Sequence, residues 1–264
     1  MAEPARHRPA VEPQTRSRRK GDEWRCTLLR YVEQPDGSLE LVEIPLTPEE
    51  FLDPQIGDTM VQGRHHIVAV HFLYEMLTRW FRNRPDVAVL SDLKHLMGPR
   101  RGPAPDISIL MGVPDLAIDI ESYDLRTGAV APSLIVEVVS PSDSRIRRTD
   151  EVTKVELYER LGVREYLLLD LPRRRNRRRL GWQGYRLDRT GRYARIEPDL
   201  RGRIPSETTG LLFGADPTES WIEIRDARTS ERLLTPVEME EECRRTEAET
   251  ARLREELARL RGEA

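Results

Sequence analysis

The stretch "PSLIVEVVSPSDS", residues 132–144, determines the fold that we expect for this chain. Residues 134–139 are apolar on both faces and mostly β-branched, which is typical of a strand buried inside a sheet. Glu137 interrupts this run, and an ionised carboxylate placed in a core without a partner carries a large free-energy cost. The rest of the chain must therefore supply a partner for Glu137.

The segment after this strand predicts a β-α-β unit. A helix over about 149–161 ends at Gly162, and "REYLLLDL" at 164–171 predicts a second buried strand. The two strands should be parallel and joined by a right-handed crossover. At about 100° per residue, Lys154 falls in the middle of the apolar arc of the helix and Glu159 falls on the opposite side. We therefore expect Lys154 to face the sheet and to pair with Glu137.

A second carboxylate, Asp106, follows Pro105 at the start of the strand-like segment "PDISILM". Two carboxylates on neighbouring strands with a lysine suit a Mg²⁺ site, because Mg²⁺ takes oxygen ligands and is usually held by one or two carboxylates and waters. We expect Asp106, Glu137 and the backbone carbonyl of Val138 to be the ligands. Lys154 would orient or help deprotonate a water, or stabilise charge developing on phosphorus. The alternative is a structural ion-pair network or the remnant of an inactive site.

The ordered series of these motifs resembles the PD-(D/E)XK nuclease superfamily and, within it, the Uma-two (Uma2) family of restriction endonucleases. The resemblance rests on "PD" at 105–106, "EVV" at 137–139 and "DEVTKVELYERLGVREYLLLD" at 150–170, and it extends over roughly residues 25–240. Val139 stands where the superfamily usually has its lysine. In this family the lysine is found on the following helix, which matches Lys154.

The resemblance implies an α/β fold: a restriction-endonuclease-like core with a mixed central sheet flanked by helices, followed by a C-terminal helical tail. It implies a metal-dependent endonuclease that hydrolyses phosphodiester bonds in DNA, with Mg²⁺ or alternatively Mn²⁺ as the cofactor. Asp150, Tyr158 and His66 match family positions and are candidate supporting residues. For His66, capping or packing at the start of the first helix is an alternative to phosphate contact. The alternative function is a catalytically inactive protein that binds nucleic acid or a partner on a nuclease scaffold.

A run of six arginines in "PRRRNRRRL", residues 172–180, follows the second strand of the β-α-β unit directly. Guanidinium groups clustered beside Glu137 would attract phosphates strongly. We expect nucleic-acid contact there, with a solvated loop as the alternative. The candidate residues are Arg173, Arg174, Arg175, Arg177, Arg178 and Arg179.

Composition limits the remaining possibilities. The chain has 264 residues and a formal net charge of −3, and no apolar stretch approaches the 18 residues of a membrane span. Cys26 and Cys243 form no CxxC pair, so neither a zinc ribbon nor a disulfide framework is predicted. Neither GxxxxGK[ST] nor GxGxxG occurs, which disfavours a nucleotide-dependent enzyme. We expect a cytoplasmic protein without membrane contact.

Three regions follow from these patterns. Residues 1–22 are rich in Pro, Arg and Ser and are expected to be a disordered, basic tail. Residues 23–235 form the predicted nuclease-like domain. Residues 236–264 are almost wholly charged and predict a helix with the 4-3 apolar spacing of a short coiled coil, with a docking helix as the alternative. The spacing suggests a homodimer.

Overall fold

The structure is a computed structural model that describes residues 26–46, 52–54, 63–98, 101–113, 120–139, 149–172, 179–218 and 220–262. The predicted tail at 1–22 and the arginines between 173 and 178 lie outside these residues. The side chain of Asp150 also lies outside the described part.

The described chain contains three α-helices: α1 (Arg64–Trp80), α2 (Lys154–Arg160) and α3 (Pro236–Arg261). A 3₁₀ turn covers Leu125–Thr127 and a π-helical turn covers Thr149–Thr153. The strands are β1 (Cys26–Glu33), β2 (Leu39–Leu46), β3 (Val87–Ser91), β4 (Lys94–Leu96), β5 (Ile107–Met111), β6 (Ser122–Asp124), β7 (Leu134–Val139), β8 (Glu165–Asp170), β9 (Gly181–Leu187), β10 (Tyr193–Arg195), β11 (Ile204–Ser206), β12 (Leu211–Ala215) and β13 (Ile222–Asp226).

The centre of the molecule is a six-stranded mixed sheet in the order β10-β9-β8-β7-β5-β3. Strands β7 and β8 are parallel, with Glu137 opposite Leu168, and the other neighbouring pairs are antiparallel. The connection through α2 makes β7-α2-β8 the predicted β-α-β unit. The mixed α/β sheet expected from the sequence is therefore present.

The two faces of β7 pack against different layers, because successive side chains of a strand point to opposite faces. Val136 and its neighbours at alternate positions belong to a large core that contains α1 and the sheet β11-β12-β13. Ile135 and Val139 belong to a second core that contains Tyr158 of α2. Glu137 alternates with Val136 and Val138, so it lies on the face that α2 covers.

The helix predicted over 149–161 is present, and its first five residues form a π-helical turn before the α-helix begins at Lys154. One expectation about this helix was wrong. Glu159, expected on the solvent side, accepts a hydrogen bond from the backbone N–H of Tyr193 at 2.6 Å and pairs with Arg192 at 3.2 Å. The hairpin of β9 and β10 contacts that side of α2, and the helical period of one segment carries no information about such a neighbour.

Among the described residues, no helix is both long enough and apolar enough to cross a membrane.

Candidate active site

Asp106 lies just before β5 and is 6% exposed. Its Oδ2 accepts a hydrogen bond from the backbone N–H of Val138 at 2.7 Å, which ties the carboxylate to β7 near the C-terminal end of that strand. Its Oδ1 lies 3.1 Å from Nε2 of His66, in the first turn of α1. Ile107, the next residue, pairs with Val136 across the sheet. The local pairing therefore brings Asp106 alongside Glu137 at the same edge of the core.

Glu137 is 3% exposed, and each of its carboxylate oxygens has its own partner on α2. Nζ of Lys154 lies 3.0 Å from Oε2, and the hydroxyl of Tyr158 donates to Oε1 at 2.7 Å. Residues four apart on a helix share a face, so one face of α2 supplies both groups. Tyr158 is fully buried, and its ring centroid lies 4.9 Å from that of Tyr166 on β8. The predicted pair of Glu137 and Lys154 is present, with Tyr158 as a further partner.

Charge interactions couple four side chains into one cluster, which consists of Asp106, Glu137, His66 and Lys154. Burial acts to raise the pKa of Asp106, but the hydrogen bond and charge of His66, the charge of Lys154 and the N–H of Val138 together lower that pKa. Burial acts to lower the pKa of His66, and the hydrogen bond and charge of Asp106 with the charge of Glu137 raise it overall. His66 and Lys154 thus oppose the charges of the two carboxylates. His66 neither caps α1 nor points away from the site, since Gly63 is the N-cap and the imidazole contacts Asp106.

Asp92 is a further neighbour of this cluster, and it was not predicted from the sequence. It has a left-handed backbone with a φ of 51°, and its N–H donates to the carbonyl of Pro105 at 3.0 Å, directly before Asp106. Partial burial of its carboxyl and the charge of Asp106 raise the pKa of Asp92. Non-glycine residues in this conformation are enriched at functional sites. The sequence signal is only an Asp after a short apolar run, which is common at turns.

The remaining predicted site residues are placed as follows. Val138 contributes its backbone N–H to Asp106, while its predicted contribution as a ligand was its carbonyl. Arg179 is exposed, and the other five arginines of the run lie outside the described residues.

The donor set fits a hard divalent cation held by few protein ligands. In the described part of the chain, no three His, Cys, Asp or Glu side chains converge as a metal cluster. The two carboxylates of Asp106 and Glu137 are oxygen donors, and Mg²⁺ is commonly bound by one or two carboxylates with several waters. Asp106 and Glu137 are therefore the residues that would hold such an ion.

Comparison with known proteins identifies a family for this chain. A family model, Uma2, described as "Putative restriction endonuclease", matches residues 40–216, about two thirds of the chain. No curated protein matches the chain. A solved structure of "a putative nuclease belonging to DUF820 from Anabaena variabilis ATCC 29413" is 17% identical, with 68% of this chain and 82% of that chain covered and a TM-score of 0.39. Since the Uma2 family model covers well over half of this chain, the chain belongs to the Uma2 family.

Proposed function

We propose that this chain is a metal-dependent endonuclease that hydrolyses phosphodiester bonds in DNA. Membership of the Uma2 family indicates a nuclease, and the metal and the substrate are our own proposal. The observation that carries it is the contact of 3.0 Å between Nζ of Lys154 and Oε2 of Glu137, beside the buried carboxylate of Asp106. A lysine held against a metal-binding carboxylate is what the reaction requires.

Each residue of the cluster has a task in this mechanism. Asp106 and Glu137 would hold Mg²⁺, with Mn²⁺ as an alternative, and the backbone carbonyl of Val138 would complete the ligands. The bound ion would supply Lewis acidity and a water of lowered pKa. Lys154 would orient that water at the phosphorus or stabilise the charge that develops there. Tyr158 fixes the second oxygen of Glu137, and so keeps the carboxylate in one orientation.

The proposals about nucleic-acid contact, self-association and location rest on the amino-acid sequence. The arginine run at 173–179 follows β8 and would contact the phosphates of the substrate. Self-association would take place through α3. We propose a cytoplasmic location, because the two cysteines suggest no disulfide framework.

The test is a nuclease assay on supercoiled, linear and single-stranded DNA with Mg²⁺, with Mn²⁺ and with EDTA. We expect cleavage of DNA with either metal and none with EDTA. DNA binding without cleavage under every metal condition would instead support the inactive, nucleic-acid-binding alternative.

Lys154→Met distinguishes a catalytic lysine from a structural one. Methionine keeps much of the apolar stem and deletes the charge, so loss of the ammonium beside Glu137 should cost about 3–5 kcal/mol of stability. Mg²⁺ should recover much of this loss, because the ion replaces the missing partner and binds only the folded state. Cleavage at saturating metal should still fall by about two orders of magnitude.

Melting curves with and without Mg²⁺ measure the first effect, and cleavage rates measure the second. Lys94→Met is the matched control, because Lys94 is also buried and pairs with Asp53 at 2.8 Å. Its loss of stability should not respond to Mg²⁺. If Lys154→Met cleaves DNA as fast as the parent, Lys154 has no part in the mechanism.

A further inference from the structure

Within the described part of the chain, the contacts that fix helix α3 to the rest of the molecule lie at its start. A capping box between Thr235 and Glu238 begins the helix, and Arg232 holds Glu238 at 2.7 Å. Arg79 of α1 donates to the carbonyl of Leu234 at 3.1 Å and lies 2.7 Å from the sulfur of Met239. The first turn of α3 therefore belongs to the body of the protein.

Beyond Met239, α3 exposes an apolar stripe. The helix has no buried residue, and Leu253, Leu257 and Leu260 are 52%, 51% and 72% exposed. These leucines continue a 4-3 spacing that starts at Cys243 and passes through Thr246 and Thr250. This is the a/d pattern of a two-stranded coiled coil, with Cys243 at an a position.

The charges beside the stripe favour one orientation of two copies. With Cys243 at a, the g positions of the leucine-containing half are Glu249 and Glu256, and the e positions five residues later are Arg254 and Arg261. In a parallel pair each g residue lies beside the following e residue of the other chain. Both of these pairs then join a glutamate to an arginine.

The antiparallel orientation has less of this complementarity, because its e positions pair Glu247 with Arg254 but its g positions pair only glutamates. There, g positions of one chain lie beside g positions of the other, and Glu242, Glu249 and Glu256 are all glutamates. In the parallel pair the one repulsive contact is between Glu242 and Glu247, at the end where the stripe has no leucine. The attraction is thus concentrated where the apolar residues are.

We infer that α3 binds α3 of a second copy as a parallel, in-register coiled coil along the stripe from Cys243 to Leu260. This deepens the self-association proposed above and does not depend on nuclease activity. Two consequences follow from parallel packing in register. The two Cys243 side chains face each other across the axis, and both nuclease bodies lie at the same end of the coiled coil. In an antiparallel pair the two cysteines would be about 25 Å apart along the axis, at 1.5 Å per residue.

The experiment is disulfide cross-linking of the full chain carrying Cys26→Ser, so that the exposed thiol of Cys243 is the only one. Diamide oxidises two facing thiols to a disulfide and is itself reduced to the hydrazine. The matched control carries Cys26→Ser, Cys243→Ser and Ala248→Cys, which moves the thiol to the f position on the opposite face of the same helix. Light scattering measures the mass of each reduced protein.

We expect a particle of twice the chain mass of 30.6 kDa and a covalent dimer that forms at least ten times faster through Cys243 than through position 248. Glu249→Arg with Glu256→Arg should dissociate the dimer, and mixing with an Arg254→Glu, Arg261→Glu chain should restore it. Monomers at tens of micromolar, or dimers that cross-link no faster through Cys243 than the control, would overturn the inference. Either result leaves the cleavage assay, and hence the proposed nuclease activity, to be judged separately.

Discussion

At the scale of single residues, the proposed function depends most on Glu137. Both oxygens of this buried carboxylate are bound, one by the ammonium of Lys154 and one by the hydroxyl of Tyr158. A buried ion pair of this kind contributes little net stability, because desolvation offsets the attraction between the charges. Stability alone therefore does not account for this pair, and the metal-binding role proposed above would.

Glu137→Gln should abolish Mg²⁺ and Mn²⁺ binding while the protein still folds, because glutamine keeps the shape and removes the charge. Stability should fall as well, since Lys154 loses its carboxylate partner. Isothermal titration calorimetry measures the metal affinity. The matched control is Glu165→Gln, since Glu165 is a fully buried glutamate on the adjacent strand β8. Its carboxylate accepts hydrogen bonds from Arg186, Ser206 and Thr208.

The control should lose stability and retain metal affinity, because Glu165 pairs across the sheet with Leu134, three positions from Glu137. Unchanged affinity in Glu137→Gln would remove Glu137 from the ligands.

His95 should make the stability of the protein depend on pH. It is 1% exposed, its Nδ1 lies 2.7 Å from the carbonyl of Leu93, and its Nε2 lies 3.1 Å from the hydroxyl of Ser108. Burial lowers the pKa of His95 from about 6.5 to about 4. Between these values the unfolded chain binds the proton and the folded chain does not, so stability falls as pH falls.

The loss should approach about 3 kcal/mol as the pH is lowered from 7 to 4, at about 1.4 kcal/mol per unit of pKa difference. Urea unfolding at a series of pH values measures it, and His95→Gln is the comparison because glutamine does not titrate. If the two proteins show the same dependence between pH 7 and pH 5, folding does not lower the pKa of His95.

At the scale of elements, helix α2 would position the proposed chemistry. Lys154 is its first residue and Tyr158 lies one turn later, so a single short helix holds both partners of Glu137. The π-helical turn at Thr149–Thr153 leads directly into Lys154. Such turns are frequent at functional sites, because they change the direction of side chains along a helix.

The arginine run after β8 should bind DNA through phosphates alone. Replacing Arg173, Arg174, Arg175, Arg177, Arg178 and Arg179 by Gln should weaken binding equally for all sequences. The slope of log affinity against log salt should shrink by about 0.9 for each lost contact with duplex phosphate. Fluorescence anisotropy at several salt concentrations measures the slope.

The control for the run is replacement of the same six arginines by Lys, which keeps the charges. This variant should retain most of the slope. A slope that is unchanged in the glutamine variant would show that the run does not contact DNA.

At the scale of the whole molecule, a parallel dimer of a nuclease would present two active sites at one end of the coiled coil. Two sites can cut both strands of a duplex in one binding event. The dimer should therefore convert supercoiled plasmid to linear DNA with little nicked intermediate. Replacing Leu253, Leu257 and Leu260 by Glu should disrupt the dimer, because each charge would then lie in the apolar seam.

The leucine variant should accumulate nicked circles, which gel electrophoresis of a time course measures. Leu200→Glu is the control, because Leu200 is fully exposed outside α3. Direct formation of linear plasmid by the leucine variant would show that double-strand cleavage does not require the α3 seam.

Local sequence patterns were enough to predict the β-α-β unit, the helix α1, the hairpins and the helix α3. Hydrophobic period and turn residues are local signals, and these elements are formed by neighbours in the chain. The pairing of Glu137 with Lys154 was also local in this sense, since both belong to one β-α-β unit. A carboxylate and a lysine that both lie on apolar faces have few other partners that could offset the cost of burying their charges.

The residues far apart in the chain that lie beside Asp106 and Glu137 became known only from the tertiary structure. The contact of His66 with Asp106 links α1 to the start of β5, and Asp92 comes beside them through a left-handed turn. The three-stranded sheet β11-β12-β13, which completes the larger core, was not predicted either. Each of these depends on packing between elements far apart in the chain. Local period and propensity carry no information about such packing, because its free energy comes from surfaces that meet only in the folded state.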